Sequence, residues 1–181
     1  QHAQSWAVLN GMLAREEAHE VMRRTFEEKD VLRCYFSTCY ELFRACEKAG
    51  CYELTGRQMD WWIRLPEEHC VTCPETPANS RSECHAWSAL PMYELLSVIA
   101  GIRRESGNPA HMDICPHMDY VPDLEGRVIT EYGAIEFSYT PTEHGMCYEV
   151  LLPEGMSGNF IHPSGQICEL KTGRNRMGDI G

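Results

Sequence analysis

"CPETPANSRSECHAWSALPMYELLSVIAGI", residues 73–102, changes texture partway along, and the reading of the fold turns on that change. It opens as loop, with prolines at 74 and 77 around Glu75. It closes as an apolar run, with Trp87, Tyr93, Leu95, Leu96 and Ile99 in a helical pattern that Pro91 either kinks or enters at the first turn.

Working back from it, the chain reads as paired helices. In "AQSWAVLNGML" (3–13) Trp6, Leu9 and Leu13 recur at helical spacing, and in "REEAHEVMRRTFEEK" (15–29) Ala18, Val21, Met22 and Phe26 share one face. The short join predicts a hairpin. "YFSTCYELFRACEKAG" (35–50) is the next helix, stopped by Gly50, and "CYELTGRQMDWWIRL" (51–65) is its partner, ending before Pro66. A fifth helix is expected over "CHAWSALPMYELLSVIAGI" (84–102).

Working forward, the pattern becomes that of strands. "GRVITEYG", "AIEFSYT", "CYEVLLPEG", "GNFIHPSG" and "ICELKTG" are short runs bounded by Gly and Pro, and in "AIEFSYT" and "CYEVLL" apolar and polar residues partly alternate. The expected fold is α+β in two domains: helices over 1–104, then a small antiparallel β-sandwich over 105–181. "RRESGNP" (103–109) reads as the linker and "GRNRMGDIG" (173–181) as a frayed tail.

Composition narrows the function classes. The net charge of -11, with 16 Lys and Arg against 27 Asp and Glu, disfavours nucleic acid and anionic membrane as partners, and the basic residues are scattered. No run approaches the roughly 18 apolar residues of a membrane span. Ten cysteines in a chain of this length and apolar content read as reduced thiols, several at apolar helical positions (Cys39, Cys46, Cys51), and point to a cytoplasmic setting. Helical periodicity begins within a few residues of Gln1, as expected of a piece of something longer.

The order of these features, and the string Glu75…Arg81-Ser82-Glu83-Cys84-His85-Ala86-Trp87 followed by Pro91-Met92-Tyr93-Glu94-Leu95-Leu96 and Gly101-Ile102, resembles the C-terminal portion of the α-L-rhamnosidases of glycoside hydrolase family 78. The resemblance implies the terminal helices of an (α/α)6 barrel joined to a C-terminal β-sandwich. It also implies an inverting hydrolase of terminal α-L-rhamnosyl residues, acting on a rhamnose-containing glycoside without cofactor or metal. The helices counted above are too few to close such a barrel, so the chain is expected to be a fragment that needs the remainder of the barrel and that self-associates through the inner face it exposes.

Inversion requires two carboxyl groups, one protonated to help the leaving group depart and one ionised to activate water, roughly 6.5–9.5 Å apart. The resemblance places the general base at Glu75, on a loop stiffened by its flanking prolines. His85 matches a histidine that hydrogen-bonds the sugar, a task suited to an imidazole that donates from one nitrogen and accepts at the other. Trp87 either stacks on the sugar or packs in the core, since two positions along a helix would turn it away from His85. Arg81 pairs with Glu83 or Glu75. Glu83 itself reads as a helix-start charge, Glu67 and Glu68 as surface charges, and Cys73 and Cys84 as packing. No counterpart of the general acid is found in residues 1–60, whose acidic stretch at 15–30 fits the polar face of an amphipathic helix. The isolated chain is therefore expected to be inactive.

Two readings come from other classes. Cys70-x-x-Cys73 with Cys84-His85 beyond it would suit a zinc or redox site, although only one knuckle is present. A non-catalytic carbohydrate-binding or interaction module would use the sandwich, whose aromatics are Tyr120, Tyr132, Phe137, Tyr139, Tyr148 and Phe160; alternation along the strands would bury several of them.

Overall fold

The structure is a computed structural model that describes residues 1–104, 107–119 and 121–178. It is an α+β chain with two compact units, Gln1–Met92 and Tyr93–Gly181. The linker expected at 103–109 contains two residues outside the described ones, 105 and 106. The division in the structure falls earlier than the expected 104/105 boundary, because Ala100 and Ile102 are buried in the core of the β unit and Leu96 packs against it.

In the first unit, helix α1 (His2–Leu9) and helix α2 (Arg15–Glu27) both pack on α3 (Cys39–Ala49). The first helix stops short of the expected Leu13. Its buried residues are Ser5 and Val8, while Trp6, expected to face inward, is more than half exposed. In α2 the expected face is present, with Ala18 and Met22 one turn apart and buried, and Thr25 continuing it. Glu17 accepts the Ala14 N–H at 3.1 Å, and Arg23 ion-pairs with Glu20 and Glu27 on the solvent side.

Helix α3 holds the centre of this unit. Cys39, Leu42, Phe43, Ala45, Cys46 and Ala49 are all buried along it, so the thiols act as small apolar groups, and burial pushes the Cys39 thiol up to about 12. Gly50 ends the helix at φ 71°, ψ 34°, a left-handed conformation in which a side chain would be strained. One 3₁₀ turn at Phe36–Thr38 precedes α3, and another at Tyr52–Thr55 leads into α4 (Gly56–Arg64). Gln58 of α4 is fully buried and satisfied: its Nε2 donates to the Cys34 carbonyl at 2.6 Å, and its Oε1 accepts from Arg33 at 3.1 Å.

The fifth helix expected over 84–102 is broken into pieces. The chain forms a 3₁₀ turn at Ala86–Ala89, a four-residue α5 (Leu90–Tyr93) and a π-helical turn at Glu94–Ile99. Pro91 in the first turn of α5 has no N–H to extend a ladder backward, which fits the change of helix type there.

Among the described residues the second unit has two four-stranded sheets. One runs in the order β1 (Ile102–Arg104), β2 (His111–Ile114), β6 (Ser157–Ile161), β7 (Ile167–Leu170); the other runs β3 (Leu124–Thr130), β4 (Gly133–Thr142), β5 (Gly145–Leu152), β8 (Gly173–Gly178). All neighbours are antiparallel except β2 and β6, which run parallel because the chain leaves the first sheet, builds the β3–β5 hairpins and returns beside β2. The residues 173–178, expected to fray, form β8 and pair with β5 from Cys147↔Gly178 to Leu152↔Gly173.

Both sheets contribute to one apolar core. Met112, Ile114, Phe160 and Leu170 come from the first, and Ile135, Phe137, Tyr139, Tyr148, Val150 and Leu152 from the second. Tyr148 lies 4.9 Å from Phe160 between ring centroids, which joins the sheets through their aromatic side chains. The buried Tyr139 hydroxyl donates to the Ala100 carbonyl at 2.9 Å. At Gly158 the backbones approach so closely that an added Cβ would lie 2.1 Å from the Met112 carbonyl oxygen.

Candidate active site

Beyond α4 the first unit continues without regular structure from Pro66 to His85, and the loop shape there is set by single bonds. Cys73 and Cys84 face one another in an isolated parallel bridge, with the His85 N–H donating to the Cys73 carbonyl at 2.8 Å. Inside this closure the Glu75 N–H donates to the Ser82 carbonyl and the Ser80 hydroxyl, both at 2.8 Å, and the Ser80 hydroxyl donates in turn to the Ser82 carbonyl at 2.6 Å. Asn79 turns the loop at φ 51°. Sequence reasoning missed Ser80 and Ser82; the signal was the Asn-Ser-x-Ser turn after Pro77.

The Glu75 carboxylate points to Arg81, which hydrogen-bonds both of its oxygens, through Nε to Oε2 at 3.1 Å and through NH2 to Oε1. Of the two partners left open by the sequence, Arg81 therefore takes Glu75. The arginine is 84% exposed and the carboxylate 18%, so the guanidinium reaches in from solvent over a sheltered group. The Arg81 hydrogen bonds hold the Glu75 carboxyl below its ordinary value against the opposing pull of partial burial, with the charges of Arg81 and His85 adding to the same direction.

His85 and Trp87 lie together, their rings 4.3 Å apart and tilted by 32°. This corrects the expectation that Trp87 turns away. His85 is extended, at φ -114°, ψ 114°, ahead of the 3₁₀ turn, so helical angular spacing does not apply between them. Trp87 is not a core residue either: it is 42% exposed, and its Nε1 donates to the Glu75 carbonyl at 3.2 Å. Ser88 anchors the pair from behind by donating to the His85 carbonyl, while its own carbonyl accepts from Trp62 of α4 at 2.7 Å. Glu75, Arg81, His85 and Trp87 thus form one cluster in the first unit.

Glu83 is separate from the cluster. It accepts from Thr72 at 3.2 Å, and since the 3₁₀ turn starts only at Ala86, it is not a first-turn residue as expected. Among the described residues no group of three or more His, Cys, Asp and Glu side chains is arranged to hold a metal ion, and all ten cysteines are free thiols. Of the sandwich aromatics, Phe137, Tyr139, Tyr148 and Phe160 are buried, Tyr132 is partly exposed and Tyr120 lies outside the described residues.

A helical unit followed by two packed sheets is a fold found within the α-L-rhamnosidases. Three solved structures carry the likeness: an α-L-rhamnosidase of Streptomyces avermitilis complexed with L-rhamnose (TM-score 0.78, 14% identity, 97% of this chain covered), a glycoside hydrolase family 78 rhamnosidase of Bacillus sp. GL1 (0.75, 23%, 91%) and an α-L-rhamnosidase of Aspergillus terreus (0.74, 13%, 96%). The chain spans only 21%, 19% and 23% of their respective lengths. No family model and no curated protein matches the chain.

Proposed function

We propose that this chain is the part of an inverting, α-L-rhamnosidase-like glycoside hydrolase that supplies the general base, Glu75, and a sugar-contacting pair, His85 and Trp87. The observation that carries the reading is the Arg81–Glu75 pair. A general base must be ionised in the resting enzyme, and the guanidinium favours that form while the bonds to Ser80 and Ser82 fix the backbone behind it. The half-buried His85 and the exposed Trp87 stacked on it add a hydrogen-bonding group and an apolar plate, the combination that binds a deoxysugar.

In this mechanism Glu75 takes a proton from water as the water attacks the anomeric carbon, and a carboxylic acid from the rest of the barrel protonates the departing oxygen. Rhamnose as the sugar comes from the likeness to rhamnosidases and from the resemblance of residues 75–102. Self-association of the chain alone rests on its being a fragment that exposes the inner face of an unclosed barrel.

The test is hydrolysis of an aryl α-L-rhamnoside by the complete enzyme. Glu75→Gln is expected to lower kcat by about 10²–10⁴-fold, the usual contribution of a general base, with the fold intact by circular dichroism. Near-normal turnover would remove Glu75 from this role. Retention of anomeric configuration, read by proton NMR of the first product, would remove the inverting mechanism.

A further inference from the structure

The cysteines at 73 and 84 were expected to serve packing, yet neither is fully buried: Cys73 is partly exposed and Cys84 is on the surface. They are instead brought together by the backbone. The isolated bridge between them is parallel, and paired strand residues lie about 4.8 Å apart with their side chains on the same side. That separation falls inside the roughly 4.4–6.8 Å between Cα atoms over which a disulfide closes without moving the main chain. The bond from the His85 N–H to the Cys73 carbonyl closes the pair, and the bond from the Glu75 N–H to the Ser82 carbonyl holds the loop inside it. Cys70, the other half of the Cys-x-x-Cys, is in no backbone bridge of this kind among the described residues.

We propose that Cys73 and Cys84 are a reversible dithiol–disulfide pair that fastens the base of the Glu75 loop, with a small disulfide such as oxidised glutathione as its oxidant. Cys84, the exposed thiol, attacks as thiolate on one sulfur of the oxidant, forming a mixed disulfide and releasing one glutathione thiolate. The Cys73 thiolate then attacks the Cys84 sulfur, forming the internal bond and expelling the second glutathione. Both protein thiols lose their protons and together give up two electrons, which the oxidant takes as its S–S bond becomes two thiols. The closed loop contains Glu75 and Arg81, so the oxidised form holds the ion pair within a covalent ring. This chemistry stands whether or not Glu75 is a catalytic base.

The chain is incubated with oxidised glutathione, residual thiols are alkylated, and the product is digested without reduction for peptide mapping. A peptide linking residues 73 and 84 is expected, reversed by dithiothreitol. The same link is expected in Cys70→Ser, whereas Cys73→Ser is expected to trap glutathione on Cys84. A link between 70 and 73, glutathione adducts without an internal bond in the unsubstituted chain, or full alkylation of Cys84 after oxidation would each overturn the proposal. Circular dichroism of every variant keeps loss of fold distinct from loss of pairing.

Discussion

The sheets of the second unit and the loop that carries Glu75 are ordered by opposite means. Across β3, β4 and β5 the backbone pairs through continuous registers, from Thr130↔Gly133 to Leu124↔Tyr139 and from Glu136↔Leu151 to Thr142↔Gly145, and the aromatics behind them pack in series. The loop has a single backbone bridge, and the rest of its order comes from separate polar contacts such as those of Ser80 and Ser82, the Arg81–Glu75 pair and an indole N–H. A side chain in the sheets is held by many neighbours at once, whereas Glu75 is held by a few polar bonds that can be removed singly. A carboxylate placed this way is aimed without being buried, so it keeps access to water and to a proton acceptor's work.

This contrast can be broken at either end. Phe160→Ala empties the space between the sheets and is expected to cost about 3–5 kcal/mol of stability by denaturant unfolding, the largest effect of the series. Gly158→Ala forces a methyl toward the Met112 carbonyl and is expected to cost about 1–3 kcal/mol, because two paired backbones must separate. Ser80→Ala leaves the Glu75 N–H with its Ser82 partner alone and is expected to cost about 1 kcal/mol. A cost as large as that of Phe160→Ala would show the loop to be part of the core.

The smallest effect on stability, and the sharpest on the site, belongs to Arg81→Ala. The pair is largely open to solvent on the arginine side, so unfolding is expected to change little near neutral pH. The Glu75 carboxyl, however, is held low by Arg81, and its NMR titration midpoint is expected to rise in the variant. The sign of the linkage follows: with its folded value depressed, the Glu75 carboxyl favours the fold above the ordinary carboxylate range, and that contribution is lost as pH falls through the folded value. An unchanged midpoint in Arg81→Ala would place the cause elsewhere.

Much of this was legible in the sequence. Helices α2 and α3 declared themselves because Ala18 and Met22, and Leu42 and Cys46, repeat at the helical period and Gly50 supplies a left-handed stop. The strands from β3 to β7 were marked by turn residues between them. Strand β8 was hidden, since "GRNRMG" is polar and draws its order from the edge of β5 rather than from any pattern of its own. The segment after His85 misled because its apolar spacing is helical; Pro91 marked a kink or a first turn, but the changes of helix type on either side of it lie below the resolution of periodicity. At the site, the residue types were readable but their contacts were not: the Arg81–Glu75 pairing and the stacking of Trp87 on His85 depend on loop angles that no spacing rule encodes.

The parallel pairing of β2 with β6 carries a consequence for how the second unit is made. Asp113 and Asn159 hydrogen-bond across that pair although 46 positions separate them, so the first sheet closes a long stretch of chain. The β3–β4–β5 meander between them pairs locally within itself, with β8 added later on the far edge of β5, so it can form first, after which the ends of β2 and β6 are already neighbours. A long closure is thereby replaced by a short one. Substitutions in the meander should then slow refolding, while those in β7 should chiefly speed unfolding, a division that a chevron plot separates.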